Sequence, residues 1–324
     1  MLTEEYDVII VGGAPAGLTA AMYTARRMLH TLVLTKDIGG QAILSKHVCN
    51  YPGFLNVSGP VLMKRFQKQA ERYGAEIIFD EVKQIVPEAM EYSVKTPTKE
   101  FRTKAIILAF GKTSRRLNIP GEDKFQGRGI SYCASCDAPL YKNKTVAVVG
   151  GGNSALDASL LLSEVARKVY LIHRRDEFRG FEAFVEEVKK KKNIEFVLSS
   201  IMTEIKGDNV VRGILVKNLK TNETNEIAVD GVFVEIGYDV EPDMIRGLVK
   251  LDQYNQIVVN EKCQTLYPDK NEIRPGIFAA GDATNVLFKQ IVVAAGEGAK
   301  AGLQVYNYLH GVKDSQIVSD WTKK

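Results

Sequence analysis

Cys133 and Cys136 are separated by two residues in Ser131-Tyr132-Cys133-Ala134-Ser135-Cys136-Asp137. Such a pair can close a disulfide in a tight loop or part as two thiols, and one thiol often ionises near neutral pH. The thiolate attacks other disulfides, so the pair can pass on two electrons by exchange. Asp137 follows at once, placed to give or take the proton that moves. The competing readings are an inert core pair and half of a zinc site, which needs four Cys or His ligands at set spacings. The other cysteines, Cys49 and Cys263, are single and distant, so redox chemistry is the stronger reading and no metal is expected.

Two glycine-rich turns flank this pair. Residues 6–11 form a short apolar run ending in Gly12-Gly13, which reads as a buried parallel strand. Pro15 suits the first turn of a helix over 16–28, and 31–35 reads as the next strand. This order is the dinucleotide-binding fingerprint: backbone amides at the turn and helix N-terminus face a pyrophosphate. Ala14 stands where the second glycine is expected and adds a methyl group where phosphate would approach. The unit recurs at 145–149, Gly150-Gly151-Gly152, 153–165 and 168–173, and His173 follows Gly150 at the spacing by which Thr35 follows Gly12. Two such units predict two dinucleotide sites. His173-Arg174-Arg175 ends the second strand of the second unit, where an acid would suit NADH ribose and arginines suit the 2′-phosphate of NADPH. Arg179 is placed to join them.

The remaining chain supplies the scaffold. A helix is expected over 61–73, and strands over 75–79, 92–96 and 105–108. Further strands are expected at 194–198, 211–217, 226–229 and 231–236. Residues 115–121 and 237–242 read as linkers. Residues 276–282 form a strand closing on Asp282, whose plain alternative is a helix cap or turn acid. A long Ala- and Gly-rich helix follows over 291–309. The expected fold class is α/β, with two domains. The composition is 45% hydrophobic and 25% charged over 324 residues, ordinary for a globular chain. A net charge of +4 without a basic, aromatic-interleaved stripe gives no nucleic-acid signature. No signal peptide or apolar run long enough for a bilayer is seen, so no membrane association is expected. Four cysteines do not make a secreted scaffold, which points to a reducing cytoplasm.

Together these residues resemble the low-molecular-weight thioredoxin reductases over almost the whole chain. The matching pieces are GGAPAG at 12–17, GGQ at 39–41, NYPGF at 50–54, CASCD at 133–137, GGGNSA at 150–155, HRRDEFR at 173–179 and GIFAAGD at 276–282. The resemblance implies two Rossmann-like, three-layer ββα domains, with an NADPH domain over 115–241 inserted into an FAD domain over 1–114 and 242–324. It implies that hydride passes from NADPH to FAD, then to the Cys133–Cys136 disulfide, then to thioredoxin or a glutaredoxin-like protein. Cys136 would face the flavin, Cys133 would attack the partner, and Asp137 would be the acid/base.

For FAD the resemblance implies Gly12, Ala14, Pro15, Ala16 and Gly17 along the pyrophosphate, with Gly39, Gly40, Gln41 and Asn50 toward the flavin. It adds Thr35, Val82, Gly111, Gly281 and Lys289, gives the ribityl chain to Asp282, and brings Gln290 and Ile291 to the pyrimidine edge. For NADPH it implies Gly150, Gly152, Asn153, Ser154, Ala155, Asp157, His173, Arg174, Arg175, Arg179, Ile236 and Gly237. Asp157 stands where the family often has Glu. A homodimer is also implied, as is rotation of the inserted domain, since nicotinamide and disulfide must reach the same ring.

Residues 281–302 also look like the flavoprotein subunit of alkyl hydroperoxide reductase, though the expected N-terminal thioredoxin-like module of that protein has no counterpart here. The C-terminal residues lack the extra redox pair of the larger reductases. The alternatives to a thioredoxin partner are a peroxiredoxin-linked protein, ferredoxin or a quinone, or a nucleotide-binding redox sensor.

Overall fold

The computed structural model describes residues 4–45, 48–241 and 243–312. The chain divides into two compact units: one runs to Lys112 and resumes at Val240, and the other is Thr113–Asp239. Pro242, at the end of the second expected linker, lies outside the described residues.

The first unit opens with β1 (Glu4–Gly13), α1 (Pro15–Arg26) and β2 (Thr31–Ile38), followed by α2 (Gly59–Arg72) and β3 (Glu76–Phe79). A hairpin of β4 (Gln84–Pro87) and β5 (Tyr92–Lys95) leads into β6 (Glu100–Leu108). β1 pairs in parallel with β2 and β6, and Ile10 stands in register with both Val33 and Ile107. Successive β1 side chains face opposite ways. Val8 and Ile10 join Ala16, Ala20 and Ala301 on the helical face, while Ile9 and Val11 join Ile85 and Val94 of the hairpin. Both faces are buried, so β1 reads as a continuous apolar run rather than an alternating one.

The second unit begins with β7 (Thr113–Ser114), α3 (Glu122–Phe125), β8 (Ile130–Ser131) and α4 (Ala134–Asp137). The second dinucleotide unit is β9 (Thr145–Val149), α5 (Asn153–Ser163) and β10 (Lys168–Ile172), followed by α6 (Glu182–Lys190) and β11 (Ile194–Val197). β12 (Ser200–Gly207), β13 (Val211–Asn218) and β14 (Thr224–Ala228) form an antiparallel sheet. β15 (Gly231–Val234) then enters the parallel sheet, whose order is β11-β10-β9-β15-β8. Val146 and Val148 pack on the α5 side with Leu156 and Leu162, whereas Ala147 and Val149 meet Met202, Ile214 and Val216 of the antiparallel sheet. Each unit is therefore layered helix, parallel sheet and antiparallel β-layer, the expected three-layer arrangement.

The chain leaves this unit along β16 (Tyr238–Asp239), which pairs antiparallel with β7. Arg115 N–H donates to Gly237 O at 2.8 Å, and its guanidinium meets Asp239 at 2.6 Å. The two connecting segments thus form a short antiparallel ribbon. Back in the first unit, β17 (Gln264–Leu266) and β18 (Ile273–Ala279) precede α7 (Ile291–Leu309), and β18 lies parallel to β6. Among the described residues no helix is long and apolar enough to cross a membrane.

Candidate active site

The redox pair lies at the start of α4. Cys133 and Cys136 form a disulfide with Cα atoms 5.4 Å apart. Cys133 caps the short helix: its Sγ accepts the Cys136 N–H at 3.1 Å, and Ser135 Oγ lies 3.5 Å from it. From β8, Ser131 Oγ accepts the Cys133 N–H at 3.0 Å and donates to Cys133 O at 3.1 Å. Cys133 is half-buried and Cys136 exposed, with half-buried Asp137 one residue on. A disulfide here replaces the zinc reading. The remaining cysteines are separate from it: Cys49 is exposed, and burial pushes the Cys263 thiol up to about 11.

The glycine turn between β9 and α5 is set by close approach. Gly150 has φ +151°, and a Cβ there would lie 2.2 Å from Glu235 O. A Cβ at Gly151 would meet the His173 ring at 2.3 Å. At Gly152, by contrast, it would meet nothing within 4 Å, so space opens at the α5 N-terminus. Asn153 and Ser154 are exposed there, whereas Ala155 packs inward. Asn153 Oδ1 also accepts the Phe181 N–H at 2.7 Å. Arg179 N–H donates to Gly151 O at 2.7 Å, which folds the 174–180 loop over the turn. Arg174, Arg175 and Arg179 are exposed on that loop. His173 is not beside them at the surface: the residue is 8% exposed, and its Nε2 is buried without a partner. Burial lowers its pKa, keeping the ring neutral against the turn. Asp157 lies on the surface of α5, and Ile236 and Gly237 follow β15, half-buried.

The first unit holds a cavity of about 590 Å³. Ala14, Pro15 and Ala16 wall it at the α1 N-terminus, with Gly39, Gly40 and Gln41 beside them. Asn50, Gly111, Gly281, Asp282 and Lys289 continue the wall to Gln290 and Ile291 at the start of α7. Asn50 Nδ2 donates to Gln290 Oε1 at 2.9 Å, and Gln41 Nε2 to Lys112 O at 2.8 Å. Burial raises the Asp282 carboxyl, opposed by Lys289 and Lys112. Burial and the Lys112 ammonium hold Lys289 below the ordinary lysine range, and its Nζ donates to Thr284 O at 2.6 Å.

Gly12, Gly17, Thr35 and Val82 are not part of this wall. Gly12 has φ +111°, and a Cβ on Gly17 would lie 1.8 Å from Gly12 O, so both shape the turn through backbone contact. Thr35 Oγ1 accepts the Gly13 N–H at 2.8 Å, and Val82 is buried in the core beneath. Ala14 has φ −109°, which any residue adopts, so the departure from glycine brings no backbone strain.

Residues 6–298 match the pyridine nucleotide-disulphide oxidoreductase family. The chain belongs to that family. It is 39% identical over 310 residues to a thioredoxin reductase of Treponema pallidum, covering 95% of this chain and 98% of that one. Among solved structures it is similar to Lactococcus lactis thioredoxin reductase in its FR conformation, at 37% identity and a TM-score of 0.85, covering 94% of this chain and 99% of that one. The T. acidophilum thioredoxin reductase aligns with a TM-score of 0.82 at 35% identity, covering 96% and 100% of the two chains.

Two residues of this oxidoreductase escaped the sequence reading. Lys112 lines the cavity, and its Nζ donates to Gln256 Oε1 at 3.2 Å. Its position beyond β6, next to Gly111, was the available signal, since ligands gather at the C-terminal ends of parallel strands. Glu235 follows β15 at the same kind of strand end. Its N–H donates to Val149 O at 2.8 Å. Burial pushes its carboxyl up to about 7, opposed by the Ala134 backbone amide and reinforced by Asp157. An acid directly after four buried residues was the signal.

Proposed function

We propose that this chain is an NADPH-dependent thioredoxin-disulfide reductase, with FAD held by the first unit, NADPH by the second, and electrons leaving through Cys133 and Cys136. The observation that carries the reading is the Cys133–Cys136 disulfide on the unit whose glycine turn is rimmed by exposed arginines. The names of the similar proteins support thioredoxin as the partner. A glutaredoxin-like or peroxiredoxin-linked partner would use the same exchange. Ferredoxin or a quinone would leave the pair idle.

The residues of the first unit fit FAD. The turn at Gly12–Gly17 brings backbone close to the cavity, and the α1 N-terminus favours a diphosphate there. Bound FAD supplies hydride acceptance and two-electron delivery to a disulfide. Asp282 would hold the ribityl chain. Gln290 and Ile291 would present the α7 N-terminus to the pyrimidine edge and stabilise negative charge. In the second unit the open space at Gly152 suits a diphosphate, and Arg174, Arg175 and Arg179 suit a 2′-phosphate. Cys133 thiolate attacks the partner disulfide and displaces one partner thiolate. Cys136 then attacks Cys133, closing the pair and releasing the second. Asp137 carries protons to or from these sulfurs.

A second copy of the chain is part of the proposal. Leu18, Met22, Phe66 and Val292, from α1, α2 and α7, line an apolar groove of about 320 Å³ on the first unit, which supports a homodimer. A reducing cytoplasm suits a pair that must cycle. The test is NADPH oxidation by FAD-loaded protein with thioredoxin or with ferricyanide alone. Ferricyanide reduction without thioredoxin reduction would overturn the reading.

A further inference from the structure

Glu122 begins α3 and is 1% exposed. Burying a carboxylate costs several kcal/mol unless other groups replace its water. Here Oε1 accepts the Leu117 N–H at 2.9 Å and the Tyr132 hydroxyl at 2.7 Å, while Oε2 accepts the Asn118 N–H at 2.7 Å. Arg116 Nε stands 3.9 Å from Oε2, and its guanidinium is held by Asp123 at 2.6 Å. The two amides alone would make Glu122 an ordinary turn acid. The Tyr132 bond is different, because it reaches a residue outside the turn that directly precedes Cys133. Burial and Glu122 push the Tyr132 hydroxyl up to about 12, so it remains a donor at neutral pH. Ser131 clamps the Cys133 backbone from the other side.

We propose that Glu122 is a positioning residue for thiol–disulfide exchange at Cys133, tying the redox turn through Tyr132 to the chain at Leu117 and Asn118. The biological partner rests on the function proposed above; the positioning does not. In exchange, Cys133 thiolate bonds to one sulfur of the partner disulfide and the other sulfur leaves as thiolate. Cys136 thiolate then attacks the Cys133 sulfur, so the mixed disulfide breaks and the second partner thiolate leaves. Two electrons go with the partner, and the protons of the pair end on its thiols. Attack requires the three sulfurs close to one line, so slack at residue 132 slows this step. Hydride arrival at FAD does not pass through Tyr132.

Tyr132→Phe keeps the ring and removes the hydroxyl that donates to Glu122 and also meets Arg116. The FAD-loaded protein is reduced with dithiothreitol, freed of it, and mixed with 5,5′-dithiobis(2-nitrobenzoate). The phase read is the one that Cys133→Ser abolishes. Losing one hydrogen bond to a charged group predicts a phase about tenfold slower in Tyr132→Phe, with NADPH–ferricyanide reduction unchanged. An unchanged phase overturns the inference, and so does an equal fall in both activities, which would mark general loosening. Glu122→Gln is expected to slow the same phase and also lower the Tm; should it not fold, Tyr132→Phe decides alone. If the wild-type protein fails to reduce thioredoxin, the proposed function falls, while the small-disulfide rate still decides this inference.

Discussion

Glu235→Gln should stabilise the protein in alkaline solution and leave it nearly unchanged in acid. Burial raises the Glu235 carboxyl from 4.5 to about 7 in the folded chain. Between those values the folded chain keeps a proton that the unfolded chain has lost, so stability falls as pH rises through the window. Below it both states are protonated and the residue contributes nothing. Above it the penalty is complete. At 1.36 kcal/mol per unit, the shift corresponds to about 3 kcal/mol, an upper figure because the carboxyl is only half-buried. Glutamine cannot ionise, and its carbonyl can still accept the Ala134 N–H. Thermal unfolding of both proteins, equally loaded with FAD, should show Glu235→Gln higher in Tm by about 2–5 °C at pH 8 and by less than about 1 °C at pH 4.5. Asp157→Asn should move the wild-type window to lower pH, since Asp157 reinforces the shift. A Tm difference independent of pH, or a Glu235→Gln protein less stable at pH 8, would refute the reasoning.

Cys133→Ser and Cys136→Ser should each abolish partner reduction while FAD binding and NADPH bleaching of the flavin persist; stopped-flow absorbance separates the two. Replacing Arg174 and Arg175 with alanine should erase an NADPH preference of at least about a hundredfold, read as the ratio of kcat/KM for NADPH and NADH, because two charge-assisted bonds at roughly 1.5–3 kcal/mol each are removed. Gly17→Ala should block FAD loading or folding, since the new methyl group would stand 1.8 Å from a backbone oxygen that cannot step aside; flavin content and the Tm of the purified protein measure it.

Local pattern carried much of this architecture. The two strand–turn–helix units were legible because apolar runs, glycines and helix-forming residues sit within one short stretch, and the structure gives β1, α1 and β2 there. The helix expected over 291–309 is α7 itself. β12 was missed because it starts one residue after Ser199, whose φ of +49° turns the chain without a glycine or proline to mark it. Positions 115–121 read as a linker because sequence shows no partner for them. Their constraint comes from the Arg115 N–H on Gly237 O and from the Leu117 and Asn118 N–H groups on the Glu122 carboxyl, contacts that the fold rather than spacing creates. The candidate site follows the same rule. Its turns were visible, whereas Lys112 and Glu235 gain meaning only where strand ends meet. His173 looked like one of three basic residues, yet strand alternation turns its ring inward onto Gly151.

The most direct test of the electron route is to titrate FAD-loaded protein with NADPH in the presence of oxidised thioredoxin and count thiols formed on thioredoxin. The proposed route predicts that each NADPH consumed yields two thioredoxin thiols, and that Cys136→Ser instead accumulates a covalent adduct with thioredoxin through Cys133. NADPH consumption that yields no thioredoxin thiols, or thiols formed at the full rate by Cys136→Ser, would contradict it.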